Sequence, residues 1–142
     1  MWVHFYSRYD YIYRGEEGER IPDEATHITM SEDCTFVRAR AFEDHENIVE
    51  VFCHEGVERI EEDAFNHCPS LRRVIMPGVE EIEAGAFSQC YENTVLRDVE
   101  CGKLEIIGEG AFDSCRRLKS IKLPCARIVE AGAFCWCQAS WK

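Results

Sequence analysis

From about residue 25 onward, apolar positions recur in three groups that repeat in the same order. The first group follows L-x-x-V-x-L, as Ala25/Ile28/Met30, Ile48/Val51/Cys53, Leu71/Val74/Met76, Leu96/Val99/Cys101 and Leu118/Ile121/Leu123. Its alternating end predicts a short strand with one buried face. Pro77 and Pro124 stop two of these strands, and Gly56, Gly78 and Gly102 stand nearby. Proline removes a ladder donor and glycine permits a corner. The second group is V-x-x-I: Cys34/Val37, Val57/Ile60, Val79/Ile82, Leu104/Ile107 and Ala126/Val129. It predicts a second short strand or extended turn on the opposite wall. The third is Ala-Phe, with Phe42, Phe65, Phe87, Phe112 and Phe134 at steps of 23, 22, 25 and 22 residues. We expect one turn of helix or 3-10 helix at this corner. Each phenylalanine should plug the core and stack on the plug of the next coil.

A fixed period in this range marks a solenoid, in which one repeat is one coil and cannot bury its apolar face alone. The longest step holds three extra residues around Glu92-Asn93-Thr94, expected in a loop. Residues 1–24 do not fit the repeat. Trp2, Phe5, Tyr6, Tyr9, Tyr11 and Tyr13 crowd aromatics there, Tyr11 to Arg14 reads as a strand, and Gly15 to Gly18 as a polar turn. This segment is expected to be an N-terminal β cap of two short strands. Residues 25–142 then form a repeat domain of about five coils. The last begins at Leu118, with no successor and no polar cap. Phe134, Trp136 and Trp141 would leave it an apolar end face, which predicts end-to-end self-association or further coils.

The stretch Leu71-Arg72-Arg73-Val74-Ile75-Met76-Pro77-Gly78-Val79-Glu80-Glu81-Ile82-Glu83-Ala84-Gly85-Ala86-Phe87-Ser88-Gln89-Cys90 resembles a repeat of the BspA-type leucine-rich repeat family. The similarity runs through residues 25–137. Ala25 and His45 depart from it in the first coil, and Cys53 and Cys101 replace strand leucines. The resemblance implies a right-handed, curved, mainly β solenoid of α/β type with a parallel strand sheet. It also implies protein binding or adhesion, with no shared catalytic residues.

Charge narrows the partners. The 142 residues carry 16 Lys and Arg against 27 Asp and Glu, a net charge of −11. That argues against general nucleic-acid affinity and against an anionic membrane surface. No apolar run approaches the roughly 20 residues of a membrane helix, and the first residues do not read as a signal peptide. Of nine cysteines, Cys68, Cys90, Cys115 and Cys137 each follow the repeat phenylalanine by three residues. A cysteine tied to repeat register reads as a small buried hydrophobe. A reducing, cytoplasmic compartment is therefore expected, with the cell surface left open.

Those cysteines are also the first chemical candidates. His45, Cys68, Cys90, Cys115 and Cys137 form a straight column, whereas zinc needs converging ligands. Cys135-x-Cys137 has no matching second pair. His67 adjoins Cys68, but a regular corner supplies no cleft for a nucleophile and base. We expect no metal, no cofactor and no catalysis.

The remaining candidate is a face. Outward positions of the first strand should stack in columns. One column holds Val49, Arg72, Arg97 and Lys119; the next holds Glu50, Arg73, Asp98 and Ser120. A third holds Phe52, Ile75, Glu100 and Lys122. Arg72, Arg73, Arg97, Lys119 and Lys122 thus gather beside Phe52 and Ile75, a composition suited to an interface. The opposite wall stacks Glu58, Glu80 and Glu105, and Glu61, Glu83 and Glu130, as a solvated acidic face. The expected function is a protein-interaction module for an acidic protein or peptide. The alternatives are a surface adhesin or sensor ectodomain and, third, a thiol- or metal-handling protein.

Overall fold

The computed structural model describes residues 10–89, 95–118, 120–137 and 140–141. Twelve short strands run through them: β1 (Asp10–Tyr13), β2 (His27–Met30), β3 (Phe36–Val37), β4 (Glu50–Phe52), β5 (Arg59–Ile60), β6 (Arg73–Ile75), β7 (Glu81–Ile82), β8 (Asp98–Glu100), β9 (Ile106–Ile107), β10 (Ser120–Ile121), β11 (Ile128–Val129) and β12 (Ser140–Trp141). Each of the five repeats contributes two strands, one on either side of the coil, whereas β1 and β12 have no opposite-wall counterpart among the described residues. The first wall is a parallel sheet ordered β1-β2-β4-β6-β8; the second, also parallel, is ordered β11-β9-β7-β5-β3. Register follows the repeat: Val51 pairs with Val74 and Val74 with Val99, while Ile60 pairs with Ile82 and Ile82 with Ile107. These inward positions are buried, apart from Val99, which is half-buried.

The core between the walls is a file of rings. Phe42, Phe65, Phe87, Phe112 and Phe134 stack with centroids 4.8, 5.1, 5.3 and 5.3 Å apart and planes within 6° of parallel. That separation suits offset stacking and follows from the strand spacing. Tyr13 closes the file at its N-terminal side, 5.0 Å from Phe42 and tilted by 57°. Its hydroxyl accepts the Arg38 N–H at 3.1 Å.

The Ala-Phe corner is not helical, contrary to the sequence expectation, and its bonding shows why. The N–H groups of Ala41, Glu43 and His45 close turns within the coil onto the carbonyls of Arg38, Arg40 and Phe42. Those of Arg40, Phe42 and Asp44 instead donate to Glu62, Ala64 and Asn66 of the next coil, at 3.0, 2.8 and 2.9 Å. Alternate amides therefore serve turn and ladder, which no helix allows. Left-handed residues accompany the alternation, two before each phenylalanine and, at four of the corners, two after it. Arg40, Asp63, Gly85, Gly110 and Gly132 supply the first, and Asp44, His67, Ser114 and Trp136 the second, all with φ between 55° and 67°. Glycine and Asp reach this region at lower cost than branched residues.

Further features bear on the sequence expectations. The described part of the N-terminal segment is one strand, β1, that pairs parallel with β2 and so extends the solenoid sheet. The last coil has a successor strand, since β12 pairs parallel with β10 (Ser120 with Ser140, Ile121 with Trp141). The loop expected at Glu92 to Thr94 lies outside the described residues. Finally, the first wall is interrupted: β10 and β12 form a separate two-stranded sheet, whereas the second wall runs unbroken through β11.

A candidate protein-interaction face

The outer surface of the first wall carries the candidate site. Register places Glu50, Arg73 and Asp98 in one row and Phe52, Ile75 and Glu100 in the next. Phe52 is 45% exposed, unusual for so large an apolar side chain, while Ile75 beside it is half-buried rather than exposed. Arg73 lies between Glu50 at 3.7 Å and Glu100 at 3.5 Å, so its charge is already countered. Arg72 and Arg97 differ. Both are exposed, they adjoin across coils through Arg97 N–H to Arg72 O at 3.1 Å, and no carboxylate among the described residues pairs with them. Lys122 is exposed in the same way, and Lys119 lies outside the described residues.

The interruption of the sheet falls within this patch. At the preceding junctions the strand ends are tied by bonds such as Asp98 N to Arg72 O at 3.2 Å and Met76 N to Glu100 O at 2.9 Å. The equivalent donors next to β10, the N–H groups of Ser120 and Cys101, make no such backbone bond among the described residues. Cys101 Sγ reaches Lys122 O only at 3.9 Å. A groove lined by Arg73, Arg97, Asp98, Glu100, Ser120 and Lys122 follows the break. Arg117 joins Arg72 and Arg97 around an adjoining hollow. Sequence reasoning missed Arg117 because it lies in the corner-to-strand segment, outside the columns.

The acidic wall is knitted together rather than merely solvated. Arg59 bridges Glu61 at 3.1 Å and Glu83 at 3.6 Å and sits 4.9 Å from the centroid of Phe36. Glu61 accepts the Ala39 N–H and Glu83 the Glu62 N–H, each one coil back and each at 3.2 Å. Arg127 pairs with Glu105 at 3.0 Å. Glu61 and Glu83 thus cap corner amides, which gives these two a structural role.

The registered thiols have a shared bonding role. Cys68, Cys115 and Cys137 donate S–H to the carbonyls of Phe42, Phe87 and Phe112 in the coil before, at 3.1, 3.2 and 2.9 Å. Cys90 lies outside the described residues. Burial pushes the Cys68 thiol up to about 12. The neighbouring ring of His67 is bonded to Asp44 at 2.6 Å. Cys68 therefore has neither thiolate character nor a base, and it does not form a Cys–His nucleophile. His45, in the same column, donates through Nε2 to Pro22 O at 2.9 Å and accepts the Asn47 N–H at Nδ1 at 3.3 Å. Among the described residues, no three His, Cys, Asp or Glu side chains are placed to hold a metal ion.

Comparison with known proteins agrees with this architecture. No curated protein matches the chain. The crystal structure of a leucine-rich repeat protein of T. pallidum is similar, with a TM-score of 0.73 and 26% identity over 90% of this chain. This chain spans 60% of the length of that protein. Pneumococcal vaccine antigen PcpA shares the fold at 16% identity and a TM-score of 0.63, over 84% of this chain and 32% of its own. None of these likenesses supports the cytoplasmic location expected from the cysteines. The profile of the BspA type leucine rich repeat region matches six copies across residues 23–140. The chain therefore belongs to the BspA-type leucine-rich repeat family.

Proposed function

We propose that this repeat protein is a non-catalytic interaction module whose first wall binds an acidic peptide or protein surface. One observation carries the reading. On a chain of net charge −11, Arg72 and Arg97 stand side by side without a counter-carboxylate among the described residues, while neighbouring Arg73 has two. Adjacent cations repel, so fold stability does not account for the pair. Phe52 and Ile75 supply the apolar anchor beside the charges, and the Ser120 and Cys101 amides, without a backbone acceptor in the adjoining coil among the described residues, add donors suited to carboxylates or peptide carbonyls. A local positive patch on an acidic protein would steer an anionic partner and repel cationic ones.

The test is fluorescence anisotropy with two synthetic peptides, one alternating glutamate with leucine and one alternating lysine with leucine. Only the acidic peptide should bind, and added salt should weaken it. Replacing both Arg72 and Arg97 by Glu should abolish that binding while leaving the thermal melt nearly unchanged. Phe52→Ala should weaken it about tenfold, as loss of one anchor worth roughly 1–2 kcal/mol. Equal binding by the charge-reversed protein would place the contact elsewhere.

A further inference from the structure

Cys115 and Cys137 occupy the same position in successive corners, each three residues after the repeat phenylalanine. The two corners are fixed to one another by backbone bonds: Gly110 N to Ala131 O at 3.1 Å, Phe112 N to Ala133 O at 2.8 Å and Ser114 N to Cys135 O at 2.7 Å. Equivalent residues on laddered coils stand about 5 Å apart, within the range of Cα separations that a disulfide spans. The thiols also point the same way, onto Phe87 O and Phe112 O, which are themselves one coil apart. The two differ in access. Cys115 is fully buried, whereas Cys137 is half-buried.

We propose that Cys115 and Cys137 are a redox pair, in which a hydroperoxide oxidises Cys137 and Cys115 closes a disulfide between the last two Ala-Phe corners. Interaction with the neighbouring Cys115 side chain lowers the Cys137 thiol from its ordinary value, and the same interaction raises that of Cys115. The more accessible member is therefore the readier thiolate, and the buried one keeps its proton for the second step. In the first step Cys137 releases its proton to water and its sulfur attacks the peroxide. An S–O bond forms, the O–O bond breaks, and the alkoxide takes up a proton and leaves as alcohol. In the second, Cys115 sulfur attacks the sulfenic sulfur of Cys137. The S–S bond forms, the S–O bond breaks, and the departing hydroxide takes the Cys115 proton to leave as water. Two thiols and one hydroperoxide thus give one disulfide, one alcohol and one water.

The surroundings tolerate the change. Phe87 O retains a bond from Gln89 Nε2 at 3.4 Å, and Phe112 O retains the Cys115 N–H at 3.3 Å. The bond would staple a coil whose apolar positions Ala126, Val129 and Phe134 are only half-buried. The column offers Cys68 no such partner on its upstream side, where the register residue is His45.

The experiment uses the whole chain with Cys135→Ser, so that each tryptic fragment of interest holds one cysteine. Reduced protein is treated with stoichiometric hydrogen peroxide, native or in concentrated urea, then mapped by mass spectrometry. Native protein should lose two thiols, yield a linked Cys115–Cys137 fragment, and recover both thiols with dithiothreitol. In a Cys115→Ser protein, Cys137 should instead accumulate as a sulfenic acid captured by dimedone. Preferential linkage of any other pair, or the same distribution of links in urea as in native protein, would overturn the proposal. So would a Cys115→Ser protein with no dimedone adduct on Cys137.

Discussion

Truncating Phe87 tests the stacked file directly. Its ring is fully buried, 5.1 Å from Phe65 and 5.3 Å from Phe112, nearly parallel to both. Phe87→Ala removes the buried aromatic and leaves a cavity, a loss of about 3–5 kcal/mol. It also breaks two stacked contacts, each worth roughly 0.5–1.5 kcal/mol beyond burial, so the upper part of the range is expected. A whole domain is stable by only about 5–15 kcal/mol. At roughly 3 °C per kcal/mol for a chain of this size, the melting temperature should fall by about 12 °C. Coils couple only to their neighbours, so the two halves of the file should also uncouple and the transition broaden. Phe134→Ala should cost less, because that ring is only half-buried. The control is Glu80→Ala, an exposed side chain that should stay within about 0.5 kcal/mol. Circular-dichroism melts of the three variants rank them. If Phe87→Ala melts with Glu80→Ala, the file is not what holds the coils together.

Two glycines should respond in opposite ways. A Cβ on Gly78 would lie 2.0 Å from Glu55 O, so Gly78→Ala should cost about 1–3 kcal/mol in urea melts. Gly102 has open space around it, and Gly102→Ala should be neutral or stabilising by up to about 1 kcal/mol. Alkaline pH should unfold the protein early. Burial raises Cys53, Cys68 and Cys101 from 9.0 to about 12, so the folded chain holds these protons after the unfolded chain has lost them. Their contribution is complete below pH 9 and lost as pH rises towards 12, at about 1.4 kcal/mol per pH unit for each thiol. Urea midpoints that stay flat from neutral pH to about pH 10.5 would refute this.

The sequence made the solenoid readable because each coil repeats the same burial problem. Val51, Val74, Ile60 and Ile82 had to face one core, and their spacing announced it. The corner departs from the expected turn of helix or 3-10 helix because spacing alone cannot separate consecutive turns from a helical one. The separating signal is faint but present: glycine or aspartate two places before four of the five phenylalanines, at Asp63, Gly85, Gly110 and Gly132, with Arg40 before Phe42 the exception. The parallel pairing of β1 was hidden because residues 14–26 make a shorter connection than the repeat. Among the candidate binding residues, columns placed Arg72, Arg73 and Arg97 on one face. They could not show that Glu50 and Glu100 neutralise Arg73, since that depends on side chains from three coils meeting. Nor could they show the break beside β10, which arises from the failure of one junction and not from any residue type.

The alternating amides of the corner give the solenoid a direction. Arg40, Phe42 and Asp44 donate forward, and Asp63, Phe65 and His67 donate forward again to Ala84, Ala86 and Ser88. Every corner thus presents a socket of three carbonyls on one side and a plug of three N–H groups on the other. Two plugs or two sockets cannot meet, so corners can join only head to tail, an open-ended arrangement without a twofold axis. The same polarity lets one coil be spliced in or deleted without altering what its neighbours offer. Coil number is thereby a freely variable quantity, and the reach of the binding wall can be lengthened or shortened in whole steps.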